Sequence, residues 1–595
     1  MNIQQLLREK TAEAIFQLYN YEVSSDKVAV NIPPNDFPYD YTIVAFPFSK
    51  ISKKSPEQTT TELGGVLMML ISELESFEAV KGFLNLRFKD QFWIQFLQET
   101  INNNSFGELP PTGQKVLIEY CGPNTNKPLH LGHLRNIFIG YSISEILKAA
   151  GNDIIKVNIY NDRGVHICKS MLAYQKYGDH ETPESSGEKG DHLVGEYYVR
   201  FEQELRAQMN NLMADGLSEE EARKQAPLNS EISEMLRKWE DGEVEVRNLW
   251  QTLNQWVYQG FEATFLKIGN DFDKAYMESD TYLRGKSVVE DGLKRGVFFK
   301  KADGSVWVDL EEEALGEKLL TRADGTSVYI TQDLGTADMR YEDYHPDRMI
   351  YTVANEQDYH FKVLKLVCKK LNRPYADGIH HLSYGLVDLP SGRMKTREGT
   401  VVDADELIDE MDATAAKKTT ELGKIENFSE QELLQLNHTL GMGALKFFIL
   451  KVDPKKKMLF NPEESIDFHG FTGPFIQYTY ARICSVLRKA AEKNGFDRKE
   501  ITKRDRLEFK ERQVLMQVYH YPSTILEAAN KYEPSTLANY LYQLAKDYNH
   551  FYAELPILNA EDESARNFRL DLSSVVALII RKGMKLLGIE VPERM

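Results

Sequence analysis

Cysteine is scarce: Cys121, Cys168, Cys368 and Cys484 are the four in 595 residues, and no two form a CxxC pair. That spacing excludes a disulfide framework and a zinc ribbon, and it fits a reducing cytoplasm. Long apolar runs are missing as well. The longest, "VVALII" and "VLMMLI", are broken by charge or glycine well short of the ~18 residues that a membrane span needs, so a soluble chain is expected. Positive charge is in deficit, with a net charge of −18 and a pI near 5.4, which as a bulk property discourages nucleic-acid binding. The opening stretch carries Ile3, Leu6, Leu7, Ile15 and Leu18 at helical spacing, but Glu9, Glu13 and the lack of a cleavage site mark a structural helix, not a targeting signal. No short-period repeat is present. Hydrophobic residues at 42% and charged residues at 27% exclude a disordered or fibrous chain.

What is present is length enough for roughly three to five domains. Residues 1 to about 110 read as a small α+β domain, with helices at the start and near Gln58 to Ser76, then a strand at "GFLNLRF". Pro110 and Pro111 close it. "KVLIEY" is then a strand, "LRNIFIGYSISEILKAAG" a helix and "DIIKVNIYNDRG" a second strand, which together make a βαβ unit and a parallel α/β sheet. From about 178 to 256 charged helices replace this texture and read as an insertion. Strand-rich pieces are expected again at "VFFKKADGSVWVDL", "TSVYITQDLGTADMRYE", "RMIYTVAN" and "HHLSYGLVDL", completing a doubly wound sheet. Beyond about 404 the periodicity is helical to the end. Two basic clusters interrupt the acidic average, "KVDPKKKM" at 451–458 and the stretch from Arg488 to Arg512. The second reads either as a solvated helix face or as a phosphate-contacting one.

The chemistry-bearing stretch is "EYCGPNTNKPLHLGHLRNIFIG", residues 119–140. It joins a strand to a helix at the carboxyl edge of a parallel sheet, where doubly wound folds bind ligands. A helix N-terminus offers free N–H groups and a positive dipole end suited to phosphate. His130 and His133 can donate to phosphate oxygens, and Gly132, lacking Cβ, lets a flat base lie against the backbone. Two other readings of the pair stay open: capping or core residues, and a metal site shared with Cys121 or His166, although no third ligand has a recognisable spacing.

"HLGH" at 130–133 resembles the HIGH signature of class I aminoacyl-tRNA synthetases, and "RMKTR" at 393–397 is similar to their KMSKS-type loop, in the same order and at a similar separation. More narrowly, "IEYCGPNTNKPLHLGHLRNIFIG", "YITQDLGTADMRYE", "ANEQDYHF", "GPFIQYTYARICSVLRKA" and the ending "LGIEVPERM" resemble the arginyl members across nearly the whole chain. The resemblance implies residues 1–110 as an additional tRNA-contacting domain, 111–450 as a Rossmann-type catalytic domain with the insertion and a signature loop at 391–400, and 451–595 as a helical anticodon-binding domain. It implies ATP with Mg2+, L-arginine and tRNA(Arg) as partners, no structural metal, no membrane, and a monomeric, cytoplasmic enzyme.

The resemblance assigns residues as well. Glu119, Asn124, Tyr329, Asp333 and Gln357 fall on arginine-contacting positions, as a guanidinium's planar fork of donors demands carboxylates and oxygen acceptors. Such a polar pocket rejects analogues without a separate editing site, which fits the insertion as a connective, tRNA-facing module. Pro123, Asn124, His130, Gly132, His133, His360, Met394 and Lys395 fall on ATP positions, and Gln477, Tyr478, Tyr480 and Met595 on tRNA positions. Aromatic residues of that kind stack on unpaired bases, although by helical spacing these tyrosines can equally face the core. The chain departs from the pattern in "RMKTR", where Arg393 and Thr396 stand at the first and fourth positions, so Lys127 and Lys395 are joint candidates for the catalytic cation. It departs again at "YDYTIVAF", which replaces a Gly-Asp-Tyr start. Alternatives are an HxGH nucleotidyltransferase that uses no RNA, and a synthetase-like RNA-binding protein with a dead site.

Overall fold

The computed structural model describes residues 2–33, 37–388, 402–421, 428–494 and 504–595. Its centre is a five-stranded, all-parallel sheet whose strands are β1 (Lys115–Glu119), β2 (Asp153–Tyr160), β3 (Lys274–Met277), β4 (Arg348–Ala354) and β5 (Ile379–Tyr384). The order across the sheet is β5-β4-β1-β2-β3. The chain therefore winds one way from β1 and the other way from β4, and the crevice between these two strands is the switch point where such sheets bind ligands. Both faces of β1 are covered, with Val116, Leu117 and Ile118 fully buried, as a parallel strand requires.

Helix Leu131–Ala149 connects β1 to β2, and helix Asp358–Lys370 connects β4 to β5. Between β2 and β3 lies the insertion, whose long helices Gly190–Ala214 and Val244–Lys267 cross closely at glycines. A Cβ on Gly260 would stand 2.2 Å from Asp191 Oδ1. The helical insertion runs on to Lys267, past the expected 256. Between β3 and β4 a three-stranded antiparallel meander (Phe298–Lys300, Val306–Leu310, Gly316–Thr321) leads into helix Tyr329–Tyr344. That segment was expected as strand. Its β-branched residues suggest one, but Ile330, Leu334 and Ala337 recur at helical spacing, and Gly335 lets the helix pack against the Arg284–Gly285 backbone.

The N-terminal domain is a four-stranded antiparallel sheet with helices Ile3–Tyr19 and Pro56–Leu70 against it. The second helix stops at Leu70, short of the expected Ser76, because Leu74–Val80 pairs with Phe83–Phe88 as a hairpin. Lys81 and Gly82 close it at φ +48° and +84°, the left-handed pair that a tight hairpin turn needs. The C-terminal bundle comprises Gly473–Asn494, Phe509–Lys531, Pro534–Glu554 and Glu563–Leu586. Among the described residues no helix is long and apolar enough to cross a membrane.

A buried ionic cluster joins the two ends of the chain. The Arg512 guanidinium donates to Asp40 Oδ1 and Oδ2 at 3.0 and 2.8 Å and to Phe88 O at 3.0 Å, and it pairs with Asp90. Next to it Glu511 accepts from Arg569 Nε at 2.8 Å and Arg504 Nη2 at 2.6 Å. Arg504 and Arg512 are therefore interior anchors, a correction to both surface readings of the basic stretch; its residues 495–503 lie outside the described residues. Replacing Arg512 by Met strands the buried Asp40 carboxylate and is expected to cost about 3–5 kcal/mol. The check is a lowered melting temperature together with faster proteolytic release of residues 1–110.

Candidate active site

The loop that leaves β1 is fixed by one side chain. Cys121 adopts φ +63° and donates its N–H to Asn136 Oδ1 at 2.6 Å, while Asn136 Nδ2 donates to Thr352 O at 2.7 Å and to the Tyr384 hydroxyl at 3.0 Å. Asn136 thus ties the mouth of the loop to β4 and β5 across the switch point. Further along, His130 is the N-cap of helix Leu131–Ala149: its Nδ1 accepts from Gly132 N–H at 3.1 Å, and its own N–H donates to His133 Nδ1 at 3.2 Å. The two rings stack with centroids 3.8 Å apart.

With both Nδ1 atoms accepting, each proton sits on Nε2, so each ring keeps one N–H to offer. Burial, with the Lys127 charge adding to it, pushes His130 down to about 3, and burial pushes His133 well below the usual imidazole range. The pair is neutral near pH 7 and donates hydrogen bonds without a cation's desolvation cost. Capping therefore does not exclude ligand-holding, because it uses Nδ1 of each ring and leaves the Nε2–H to donate. His130, His133, Cys121 and His166 do not converge on an ion-sized space; among the described residues only Asp191, His192 and Asp405 do. Gly132 has a reason the sequence does not reveal: a Cβ there would stand 2.9 Å from His130 Cε1.

The amino-acid side lies along the same edge. Glu119 ends β1 and forms an ion pair with Arg340, whose guanidinium is wholly buried over the rings of Tyr276 and Tyr351 at 5.0 and 5.5 Å. Burial raises the Glu119 carboxyl, Arg340 opposes this, and Asp333 raises it further. Asp333 lies on the first turns of helix Tyr329–Tyr344 and pairs with His360 Nε2 at 2.5 Å. Tyr329 opens that helix and is 79% exposed, while Gln357 is exposed on the turn after β4. Pro123 and Asn124 line the loop beside Asn161, which donates its N–H to Pro123 O at 3.0 Å.

Two residues escape the sequence reading. Arg340 lies two turns along from Asp333 on one helix and compensates Glu119 from below. Glu278 follows β3 at the carboxyl edge, and burial pushes its carboxyl up to about 7 against the pull of Arg163, with Asp162 and Asp333 adding to the rise. Its place just after a sheet strand is the signal that could have found it. Glu119, Glu278 and Asp333 form an acidic group with Arg340 beside Glu119 and Arg163 beside Glu278, in which carboxylates outnumber the cations.

Met394 and Lys395, with the whole signature loop, lie outside the described residues. The chain on either side is tied to the HLGH region. Arg135, on the histidine helix, donates to Leu386 O at 3.4 Å, just before the loop, and to Pro454 O and Lys456 O at 3.1 and 2.7 Å, well after it. Just after it, Val402 O accepts from Leu131 N–H at 3.2 Å, and Ala404 N–H donates to Leu129 O at 3.0 Å.

The expected tRNA contacts need correction. Gln477 is fully buried, donating to Thr439 O and Glu590 O at 2.9 and 2.8 Å, and Tyr480 is 5% exposed. The helix turns both into the bundle, away from the surface, and there Gln477 holds the C-terminal tail. Tyr478 is half-buried beneath the Arg482 guanidinium, 4.9 Å from its ring centroid, and Met595 packs partly against the core.

The histidine pKa values set the acid stability of this site. Rings buried neutral keep their full contribution above about pH 6.5 and lose it progressively as the pH falls towards about 3, because only the unfolded chain takes up protons there. His130→Asn, which keeps a capping acceptor, is therefore expected to lose less melting temperature between pH 7 and pH 5 than the unaltered chain, as measured by scanning fluorimetry.

Residues 97–461 match the family described as "tRNA synthetases class I (R), catalytic domain", and residues 476–595 match the "DALR anticodon binding domain". The chain is 52% identical over 600 residues to the arginine–tRNA ligase of Amoebophilus asiaticus and 52% identical over 598 residues to that of Porphyromonas gingivalis, covering all of both chains in each case. Its fold is similar to Thermus thermophilus arginyl-tRNA synthetase, with a TM-score of 0.81 at 25% identity over the full length of both. The Plasmodium falciparum arginyl-tRNA synthetase shares the fold at TM-score 0.77 and 18% identity, covering 100% of this chain and 99% of that one. With the HLGH crossing and the acidic pocket on one sheet edge, these matches make this chain a member of the arginine–tRNA ligase family, class I.

Proposed function

We propose that the reaction of this family, the ATP-dependent charging of tRNA with arginine, is carried out at the switch point between β1 and β4, with the work divided as follows. The arginine guanidinium enters the acidic group, where Asp333 and Tyr329 contact it and Glu278 adds charge. Glu119, Asn124 and Gln357 hold the main-chain end. The observation that carries this reading is the pairing, at one sheet edge, of two neutral Nε2–H donors on the HLGH helix with the carboxylates of Glu119, Glu278 and Asp333, of which Glu119 is paired with Arg340.

ATP enters as its magnesium complex, with its phosphates over the HLGH helix terminus and its base near Pro123, His360 and Met394. The arginine carboxylate attacks the α-phosphorus in line, the bond to the bridging oxygen breaks, and pyrophosphate leaves. Little covalent work falls to the protein, so positioning and stabilisation of growing phosphate charge do most of the catalysis. The Nε2–H groups of His130 and His133 donate to the phosphates, and Lys127 or Lys395 supplies positive charge. Burial pulls the Lys127 ammonium down, which leaves it eager for an anionic partner. The second step passes arginine from the adenylate to the terminal ribose of tRNA(Arg), at the 2′-hydroxyl. The helical domain from 451 binds the anticodon side through Tyr478 and the C-terminal tail, the domain at 1–110 adds contacts, and the enzyme works as a monomer in the cytoplasm.

Aminoacylation measured with arginine against the other amino acids should give charging with arginine alone. In ATP–pyrophosphate exchange, run with and without tRNA(Arg), His133→Ala is expected to lose about 10²–10³ in kcat, the usual effect of removing one charge-stabilising donor. Asp333→Asn should instead raise the KM for arginine about tenfold to a hundredfold, the size of a lost charged hydrogen bond, and leave the KM for ATP alone. Full activity in both variants would refute this division of roles.

A further inference from the structure

The start of one insertion helix touches both the approach to HLGH and the segment that follows the signature loop. Helix Gly190–Ala214 packs its Gly195 against the approach to HLGH, where a Cβ would stand 2.8 Å from Pro128 Cδ and 3.5 Å from Lys127 Cα. One turn earlier, His192 Nε2 lies 3.4 Å from Asp403 Oδ2 and 3.3 Å from Asp405 Oδ2. Just before the helix, Lys189 Nζ donates to Asp405 Oδ2 at 2.6 Å, Thr264 Oγ1 at 2.6 Å and Asp191 Oδ2 at 3.1 Å.

Asp403 and Asp405 belong to the segment that comes out of the signature loop. Asp403 pairs with His130 in an antiparallel bridge, and its Oδ1 caps helix Ala404–Glu421 through the N–H groups of Asp405 and Glu406 at 2.8 and 3.1 Å. The same cluster is the one group of described His, Cys, Asp and Glu side chains close enough to share a cation, and the Lys189 ammonium already stands among them. The helix itself is backed by Val244–Lys267, where Gly260 makes room for the fully buried Asp191.

We propose that Lys189, His192 and Gly195 are positioning residues for ATP: the start of the insertion helix clamps the HLGH approach and the Asp403–Asp405 segment at a fixed spacing. None of the three touches substrate. The insertion then has a role in the first half-reaction, beyond any contact with tRNA. This inference rests on the assignment of ATP to the HLGH loop.

The test is steady-state ATP–pyrophosphate exchange by the full chain with tRNA(Arg) present, varying ATP and arginine separately. Lys189→Met leaves the buried Asp191 uncompensated and endangers folding, so His192→Ala is the main variant. His192 is one-quarter exposed, and Lys189 still pairs with both carboxylates without it. The expected result is a KM for ATP raised about tenfold, a KM for arginine within about twofold of the unaltered chain, and partial return with His192→Gln, which keeps a donor for Asp405. An unchanged KM for ATP, or an equal rise in both KM values with a lowered melting temperature, overturns the clamp. His133→Ala, measured alongside, separates the two failures. If that variant is inactive while His192→Ala is unaltered, the clamp alone is wrong; if it keeps full exchange, the ATP assignment falls and the clamp with it.

Discussion

Two hydrogen bonds at the start of one helix decide most of what this active site can do. Gly132 N–H to His130 Nδ1 and His130 N–H to His133 Nδ1 satisfy two of the donors that every helix N-terminus leaves over. They also fix the tautomer of both rings, and burial then keeps the rings neutral. The same pair of contacts demands glycine at 132, since the His130 ring occupies the volume of a Cβ. The capping motif and the proposed phosphate site are thus one object, and neither side chain could be exchanged for a serine cap without losing its Nε2–H donor.

The proposed arginine pocket works by incomplete cancellation. A cationic substrate needs negative charge in the site, yet three carboxylates sharing a half-buried edge raise one another's pKa and favour uptake of a proton from solvent. Arg340 resolves this by neutralising Glu119 from within the core, with two aromatic faces in place of further acceptors. Glu278 and Asp333 remain for the guest. His360, which the proposed division of roles puts on the nucleotide side, pairs with Asp333.

The distant domains follow the same logic of buried charge. Arg512 with Asp40 and Asp90, and Glu511 with Arg569 and Arg504, lock the N-terminal sheet to the C-terminal bundle. Lys446 donates to Ile268 O at the root of the insertion and also to Gly588 O at the start of the tail. Each cluster draws residues far apart in the chain into one contact, and Arg504 and Arg512 of a basic run read as surface become interior.

The sequence by itself determined the βαβ core, the helical tail and the HLGH crossing. These are written in local periodicity and in residue types that sit next to one another. Tertiary structure decided the rest. It turned "YITQDLGTADMRYE" into a helix, placed Arg340 under Glu119, brought Glu278 to the pocket from another strand, and rotated Gln477 and Tyr480 inwards. The reason is physical: periodicity shows which face of an element is apolar, but the partner of a buried charge, and the side of a helix that a neighbouring helix covers, depend on segments hundreds of residues away.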